Sequence, residues 1–293
     1  MTHRAYTGRF APSPTGNLHF GSLVTAVASY LQARAHRGRW LIRIEDIDPD
    51  REIPGSAEAI VSDLLRLNLI PDEPVTYQSQ LLDDHERAWQ RLVKTGLAYP
   101  CRCTRKMLPQ SGIYPGTCKS LNLSVRMHHR IRLVASSKMI DVDDRIMGHS
   151  QHCVASETGD FLIRRADGWP AYHLAVVVDD HKQKITEVVR GTDLLDSTAR
   201  QINLQRTLGV SSPQYFHIPT VVTADGMKLS KREQSDGGIF HDPGRALKTA
   251  LSFLGQPPVP RNTPTDRILP LAIENWDPDK IPRHREAVVP SHV

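Results

Sequence analysis

Apolar positions near the start of the chain repeat with the periods of a strand, a helix and a second strand. Residues 8–11 form a short strand-like run that enters a loop rich in proline and glycine. From Phe20 to Ala35 the apolar residues recur at spacings of one, three and four, which places them on one helix face. Gly38 ends this helix, and residues 40–44 form a second strand. This order predicts a parallel βαβ unit.

Regular α/β patterning continues on both sides of an irregular region. Between residues 100 and 175 cysteine, glycine, proline and basic residues lead into a β-rich, irregular pattern, which indicates an insertion. Beyond Gln256 the tail is rich in proline and weakly patterned, so we expect partial disorder there. The other regular segments are predicted at about residues 56–67, 83–95, 172–179, 185–190, 196–208 and 243–254.

Composition narrows the class of protein. The hydrophobic fraction of 39% and charged fraction of 24% are ordinary for a globular protein, and no apolar run approaches the ~20 residues needed to span a bilayer. Four cysteines in 293 residues do not indicate a disulfide scaffold, and the N-terminus lacks a signal-peptide pattern, so we expect a cytoplasmic protein. A net charge of +5 is a mild indication of a polyanionic partner.

Two short segments about 200 residues apart carry candidate phosphate chemistry. The first, Pro12-Ser-Pro-Thr-Gly-Asn-Leu-His-Phe-Gly21, connects a predicted strand to a helix, where His19 can donate a hydrogen bond and Gly21 lets a ligand approach the backbone. In the second, Lys228-Leu-Ser-Lys-Arg232, Lys228 and Lys231 can neutralise a triphosphate. Either segment alone is more often a plain loop or a solvated basic turn. Their occurrence together and in this order indicates nucleotide binding.

These segments resemble the two signatures of class I glutamyl-tRNA synthetases. Arg9-Phe-Ala-Pro-Ser-Pro-Thr-Gly with Leu-His-Phe-Gly-Ser is similar to the first signature, and Lys-Leu-Ser-Lys-Arg is similar to the second. The runs Leu41-Ile-Arg-Ile-Glu-Asp-Ile-Asp48 and Val189-Arg-Gly-Thr-Asp-Leu-Leu195 also match that family in order and spacing. Leu229 and Arg232 depart from the commonest form of the second signature, but both lysines remain. The resemblance covers about residues 8–240.

The resemblance implies an α/β fold with a Rossmann-type parallel sheet, split by a zinc-containing α+β insertion and followed by a short helical extension. The two halves of the catalytic domain would be residues 1–99 and 176–240. The insertion would be residues 100–175, with a zinc element and an acceptor-binding-like subdomain. The extension would be residues 241–293.

The resemblance also implies the residues that bind each substrate. Arginines suit the two carboxylates of L-glutamate and a buried acid suits its ammonium group, with hydrogen bonds from hydroxyl groups. The glutamate pocket would contain Arg9, Ala11, Ser13, Glu45, Tyr172 and Arg190. ATP, with Mg²⁺ on its pyrophosphate side, would contact His19, Gly21, Ser22 and Lys231. The catalytic set would be His19, Gly21, Lys228 and Lys231.

Three cysteines lie within eighteen positions of a segment rich in turn residues. Cys101, Cys103 and Cys118 are typical of a structural zinc site, although ordinary reduced cysteines are the alternative. General zinc chemistry leaves the fourth ligand open among His128, His129 and Cys153. The family resemblance implies instead that Tyr114 completes the site through its phenolate, with one structural Zn²⁺ per chain.

The acceptor is predicted from the length of chain after the second signature. About 60 residues follow Arg232, too few for the helical region with which glutamyl-tRNA synthetases read an anticodon. A short relative in the same family transfers glutamate to the queuosine base in the anticodon of tRNA(Asp). The length and the cysteine-containing insertion favour that reaction, with the tRNA(Asp) anticodon loop as partner. The chain would act as a monomer, away from membranes.

Three other functions remain open at this point. A truncated synthetase would charge the 3′ end of a tRNA, and a catalytically silent paralogue would only bind RNA. An amino-acid ligase would use the same activation step to make a small metabolite. The intact residues of the predicted active site argue against the silent paralogue.

Overall fold

The computed structural model describes residues 5–223 and 241–289. Its strands are β1 (Thr7–Phe10), β2 (Arg39–Ile44), β3 (Thr76–Tyr77), β4 (Ala98–Cys101), β5 (Arg130–Leu133), β6 (Ile140–Asp144), β7 (Gly148–His152), β8 (Phe161–Arg164), β9 (Glu187–Gly191), β10 (Gln214–Ile218), β11 (Thr220–Val222) and β12 (Glu286–Val288). Its helices are α1 (Phe20–Ala35), α2 (Ser56–Arg66), α3 (Leu82–Lys94), α4 (Val154–Glu157), α5 (Tyr172–Lys182), α6 (Thr198–Leu208), α7 (Pro243–Phe253) and α8 (Thr265–Glu274). The predicted helices end within two residues of these bounds.

Parallel strands form the centre of the α/β fold, as the sequence predicts. Strands β1, β2 and β3 pair in parallel, and so do β9 and β10. The N–H of Thr186, just before β9, donates to the carbonyl of Thr7 on β1 at 2.9 Å. This contact brings β1 next to β9. The first βαβ unit therefore lies beside the strand that carries Arg190.

Helix α1 packs its apolar face into the largest core cluster. Leu23, Val24, Val27 and Leu31 are fully buried there, together with Phe216 on β10. Side chains three and four residues apart share a helix face, so this row follows from the spacing seen in the sequence. Burial of each such side chain is worth roughly 1.5–3 kcal/mol. This packing holds the N-terminus of α1 at the carboxyl ends of the parallel strands.

The region predicted as an insertion divides between two sheets. Strands β4, β5 and β8 form a separate antiparallel sheet. The hairpin of β6 and β7 instead extends the sheet of β9 and β10, because β6 pairs in parallel with β10 at Asp144 and Tyr215. The predicted boundaries at residues 100 and 175 stay predictions. Within them, the hairpin is continuous with the parallel sheet.

The expectation of partial disorder beyond Gln256 is wrong for the described residues. Helix α8 packs its buried residues Ile268 and Leu269 into the core that contains α1 and α7. Strand β12 pairs in parallel with β11, from Thr220 with Glu286 to Val222 with Val288. The hydrophobic pattern of these residues is too weak to predict their elements, because α8 is short and contains Pro270, and β12 has three residues.

A chain of hydrogen bonds joins this C-terminal region to strand β9. The indole N–H of Trp276 donates to Gln32 Oε1 at 2.8 Å, and Gln32 Nε2 donates to Glu187 Oε2 at 2.8 Å. Tyr6 also donates its hydroxyl to Glu187 Oε2 at 2.9 Å. Gln32 is fully buried, so these partners satisfy polar atoms that water does not reach.

Within the described residues, no helix is long and apolar enough to cross a membrane.

We predict that Trp276→Phe lowers the free energy of unfolding by about 1–3 kcal/mol, because it leaves the buried Gln32 Oε1 without its donor. Trp169→Phe is the matched control, since no described residue accepts a hydrogen bond from that indole. Urea denaturation of both variants measures the difference. Equal midpoints for the two variants would contradict the role of this hydrogen bond.

Candidate active site

Helix α1 begins after His19, which caps the helix with its own side chain. His19 Nδ1 accepts a hydrogen bond from the backbone N–H of Ser22 at 3.2 Å, and Nε2 lies 3.0 Å from Ser22 Oγ. Because Nδ1 accepts, the proton of the neutral ring is on Nε2. Burial lowers the pKa of His19 below its usual value, so the ring is neutral near pH 7. His19 therefore offers a hydrogen-bond donor at the helix N-terminus.

Gly21 keeps the space beside this helix N-terminus open. A Cβ atom at Gly21 would lie 3.3 Å from ring atoms of His19 and 3.7 Å from Val221 Cβ. A larger side chain would displace the His19 ring and narrow the gap between α1 and β11. The first N–H groups of a helix lack intrahelical partners and carry partial positive charge. The gap therefore suits a phosphate group.

A buried carboxylate joins two arginines behind this gap. Asp180 on α5 accepts from Arg9 Nε at 3.1 Å and from Arg43 Nη2 at 2.8 Å. Burial alone would raise the pKa of the Asp180 carboxyl, but the charges of Arg9 and Arg43 outweigh burial and hold that pKa below its usual value. Arg43 also donates to Gln183 Oε1 at 2.6 Å. The position of Arg9 is therefore fixed from behind by a charged partner.

Glu45, which directly follows β2, lies in the same cluster, but its pKa is shifted in the opposite direction from that of Asp180. Burial raises the pKa of the Glu45 carboxyl to about 7, although Arg43, at 3.5 Å, and Arg9 oppose the shift. The two nearby carboxylates of Asp180 and Asp179 raise it further. A ligand that brings a positive charge would favour the ionised form. Glu45 is therefore suited to pair with an ammonium group.

The cavity between these elements has a volume of about 1200 Å³. It brings together every predicted glutamate- and ATP-binding residue that the structure describes, namely Arg9, Ala11, Ser13, His19, Gly21, Ser22, Glu45, Tyr172 and Arg190. Tyr172 is the first residue of α5, and Arg190 is on β9. The roles assigned to these residues stay predictions. Lys228 and Lys231 lie outside the described residues.

Sequence reasoning missed the residues that support the cavity from behind. Arg43 gave a usable signal, because the sequence places this charged residue among the apolar positions of β2, where the structure buries it fully. Such a residue requires a partner. Asp180 gave no such signal, since it lies 171 positions from Arg9 in the sequence. Sequence reasoning also missed Asp193 and Thr220, which line the cavity beside His19.

The three predicted cysteine ligands form one buried cluster away from this cavity. The sulfur atoms of Cys101, Cys103 and Cys118 lie within 4.8 Å of one another, and those of Cys103 and Cys118 are 3.5 Å apart. The Tyr114 hydroxyl lies 3.3 Å from Cys101 Sγ and 3.6 Å from Cys103 Sγ. Of the alternative ligands, Cys153 is elsewhere, with its Sγ at 3.5 Å from the carbonyl oxygen of Ser137.

The guanidinium group of Arg132 makes two contacts with the cysteine cluster. The guanidinium of Arg132 stacks on the Tyr114 ring at 3.7 Å, and its Nε donates to Cys101 Sγ at 3.3 Å. Burial and the neighbouring sulfur atoms raise the pKa of the Tyr114 phenol. The protonated hydroxyl is therefore favoured unless a cation is bound. His128 and His129 lie outside this group, with their rings packed against each other.

Comparisons with known proteins agree with this geometry. The family of class I tRNA synthetases (E and Q), catalytic domain, matches residues 6–112 and 117–241. A crystal structure of a glutamate tRNA ligase from Elizabethkingia meningosepticum in complex with its amino acid superposes with a TM-score of 0.82 at 26% identity, over 98% of this chain and 68% of that chain.

Two similar relatives indicate a particular group within this wider family. The Glutamyl-Q tRNA(Asp) synthetase of Acinetobacter baylyi is 44% identical over 284 residues, which cover 96% of this chain and 97% of the relative. The Glutamyl-Q tRNA(Asp) synthetase of Burkholderia cenocepacia is 50% identical over 262 residues, which cover 85% and 88%. The chain therefore belongs to the class I tRNA synthetase family, and within that family to the glutamyl-Q tRNA(Asp) synthetases.

We predict that the KM for glutamate rises as the pH falls from about 8 to 6, by up to ~10-fold per pH unit below 7. The reason is that Glu45, with its pKa raised to about 7, must lose a proton before it can pair with the ammonium group of glutamate. Glutamate-dependent ATP–pyrophosphate exchange measures this KM.

The matched variant is Glu45→Gln, which keeps the size of the side chain and removes its titration. We expect this variant to have a higher KM at pH 8 and a flat profile over the same range. A wild-type profile that is equally flat would contradict the pairing of Glu45 with the ammonium group.

Proposed function

We propose that this protein activates L-glutamate with ATP and transfers the glutamyl group to the queuosine base in the anticodon of tRNA(Asp). The observation that carries the proposal is the single cavity in which Arg9, Glu45, Tyr172 and Arg190 meet the N-terminus of α1. Two arginines, one carboxyl and one phenol match the two carboxylates and the ammonium group of glutamate. The names of the relatives supply the acceptor.

In the first step, an oxygen of the glutamate α-carboxylate attacks the α-phosphorus of ATP. The bond to pyrophosphate breaks, and glutamyl-adenylate forms. Glu45 would hold the ammonium group while Arg9 and Arg190 hold carboxylate oxygens. The neutral His19 would donate its Nε2 proton to a phosphate oxygen in place of Ser22 Oγ, which lies 3.0 Å from Nε2. The protein contributes position and charge stabilisation, so it needs no nucleophile of its own.

In the second step, a hydroxyl oxygen of the acceptor attacks the activated carbonyl carbon. The bond to AMP breaks, a glutamyl ester forms, and the hydroxyl proton leaves with solvent or phosphate. Mg²⁺ bound with ATP would act earlier, in the first step, where it would neutralise charge on the pyrophosphate side of ATP. We propose the tRNA(Asp) anticodon loop as the RNA partner, because its unpaired bases can be splayed out and bound individually.

We expect glutamate-dependent ATP–pyrophosphate exchange in the absence of RNA, followed by transfer of labelled glutamate to tRNA(Asp) only when the tRNA contains queuosine. Absence of exchange would contradict the activation step. Transfer to the 3′ end of tRNA(Glu) would contradict the acceptor and favour a truncated synthetase. Exchange with transfer to neither RNA would favour an amino-acid ligase.

A matched pair of variants tests the site. Arg9→Lys loses the fork that contacts Asp180, so we expect kcat/KM for glutamate to fall roughly 100-fold through misplacement of the substrate. Arg39→Lys changes the first residue of β2, an arginine that is about half exposed, and we expect it to retain wild-type exchange.

We further propose that Cys101, Cys103, Cys118 and Tyr114 hold one structural Zn²⁺. In a tetrahedral zinc site, ligand atoms lie about 3.3–3.8 Å apart, given bonds of roughly 2.0–2.3 Å. The distances of 3.3, 3.5 and 3.6 Å within the cluster fit that arrangement. Bound zinc would stabilise the phenolate of Tyr114 and tie residues 101–118 together.

We predict about one Zn²⁺ per chain in the purified protein and almost none in Cys118→Ala, which removes a ligand from the cluster. Cys153→Ala is the matched control and should retain the metal, because Cys153 lies outside the cluster. Atomic absorption measures the zinc content. A chelator should lower the melting temperature of the wild type and the control, but not that of Cys118→Ala. Equal zinc in both variants would overturn the assignment.

A further inference from the structure

A buried histidine–aspartate pair lies directly behind Arg190. His217 on β10 and Asp144 at the end of β6 are 0% and 1% exposed in their side chains. Asp144 Oδ2 is 2.6 Å from His217 Nδ1, and His217 Nε2 is 2.9 Å from Arg190 Nε. Neither side chain lines the cavity. Among the described residues, the pair is connected to the cavity by the hydrogen bond between His217 and Arg190.

The geometry allows one hydrogen-bonded arrangement of these three side chains. Arginine Nε always carries a hydrogen, so His217 Nε2 must accept from Arg190. The proton of the neutral ring is then on Nδ1, from which it is donated to Asp144. Burial lowers the pKa of His217 and favours this neutral form, although hydrogen bonding to Asp144 opposes the shift. His217 is therefore locked in the Nδ1–H tautomer.

The backbone fixes Asp144 in turn. Asp144 Oδ1 accepts from the N–H groups of Ile146 at 3.0 Å and Met147 at 2.8 Å, and Oδ2 accepts from the N–H of His217 at 3.1 Å. The hairpin of β6 and β7 therefore presents a fully oriented carboxylate to the imidazole.

Other polar groups hold the rest of the Arg190 guanidinium. Nη1 donates to Gln201 Oε1 at 2.7 Å, and Nη2 donates to Thr198 Oγ1 at 3.0 Å and to the carbonyl of Leu194 at 3.3 Å. Together with the bond to His217, these contacts to described residues use four of the five N–H groups of the Arg190 guanidinium. One N–H of Nη1 is left for a ligand in the cavity that Arg190 lines.

We propose that Asp144 and His217 are positioning residues that aim Arg190 at a carboxylate of glutamate, an inference that rests on the proposed function. The tautomer of His217 is the essential element, because only an unprotonated Nε2 can hold Arg190 Nε. Reversal of the tautomer would set two N–H groups against each other at this contact. Arg190 would then rotate away from its bound orientation.

Asp144→Asn tests the tautomer with a side chain of the same shape. The N–H groups of Ile146 and Met147 keep the amide oxygen at the Oδ1 position, which the N–H of His217 also reaches at 3.3 Å. The amide nitrogen therefore faces His217 Nδ1 and donates to it. The ring proton then moves to Nε2, opposite the N–H of Arg190 Nε. We expect the KM for glutamate in ATP–pyrophosphate exchange to rise about 10- to 100-fold. The KM for ATP should stay within about 2-fold of wild type, since substrate orientation at Arg190 is what changes. An unchanged KM for glutamate would overturn the proposal.

Two variants of His217 separate positioning from packing. In His217→Gln the amide oxygen reaches the position of Nε2 and can accept from Arg190. In His217→Asn the amide nitrogen can reach Asp144, but nothing accepts from Arg190 Nε. We expect His217→Gln to keep the KM for glutamate within about 3-fold of wild type and His217→Asn to match Asp144→Asn. Equal loss in both His217 variants, with equal melting temperatures, would show a packing role and overturn the proposal.

A spectroscopic measurement tests the tautomer without any activity. Ring ¹⁵N chemical shifts of histidine-labelled protein distinguish Nδ1–H from Nε2–H, and loss of signals in His217→Gln assigns the residue. We expect Nδ1–H in the wild type and Nε2–H in Asp144→Asn. Protonation at Nε2 in the wild type would overturn the proposal. If the wild type shows no exchange at all, the proposed function fails, while this measurement still decides the tautomer.

Discussion

The carboxylate of Asp180 is the interaction on which the organisation of the cavity depends. It lies on α5 and bridges Arg9 on β1 with Arg43 on β2, so one ion cluster joins a helix to two strands of the parallel sheet. A buried charge that loses its partner costs roughly 3–5 kcal/mol, so no member of this cluster can be removed cheaply. The same charges that hold the fold together therefore also position the residues that face the ligand.

Closely packed ionisable groups in this protein are held in different protonation states by their neighbours. Two arginines keep Asp180 ionised, whereas burial leaves Glu45 balanced near neutral pH. Burial keeps His19 neutral at the helix N-terminus. A cavity built in this way has fixed positive charge at Arg9 and a carboxyl group at Glu45 whose charge depends on the ligand. These features suit a ligand that carries both carboxylate and ammonium groups.

The sequence was sufficient for the parts of the structure with local or strongly patterned signals. Spacing of apolar residues predicted α1 and its βαβ unit, and the clustered cysteines are close in space as expected. The supports of the site could not be predicted in this way. Asp180 and Arg9 are joined across 171 residues, and His217 and Asp144 across 73, and single polar residues do not specify partners at such distances. The order of the residues beyond Gln256 was not predicted, because tertiary contacts rather than a local sequence pattern stabilise their helix and strand.

The pairing of β11 with β12 has a consequence for synthesis of the protein. Thr220 and Val221 of β11 line the cavity, yet their partner strand β12 leaves the ribosome long after them. In the nascent chain this edge, with its β-branched Thr220, Val221 and Val222, waits with unpaired backbone groups. Such an edge is a template for association with other chains. This wall of the cavity can therefore be completed only after β12 has been synthesised, and until then its edge favours association between nascent chains.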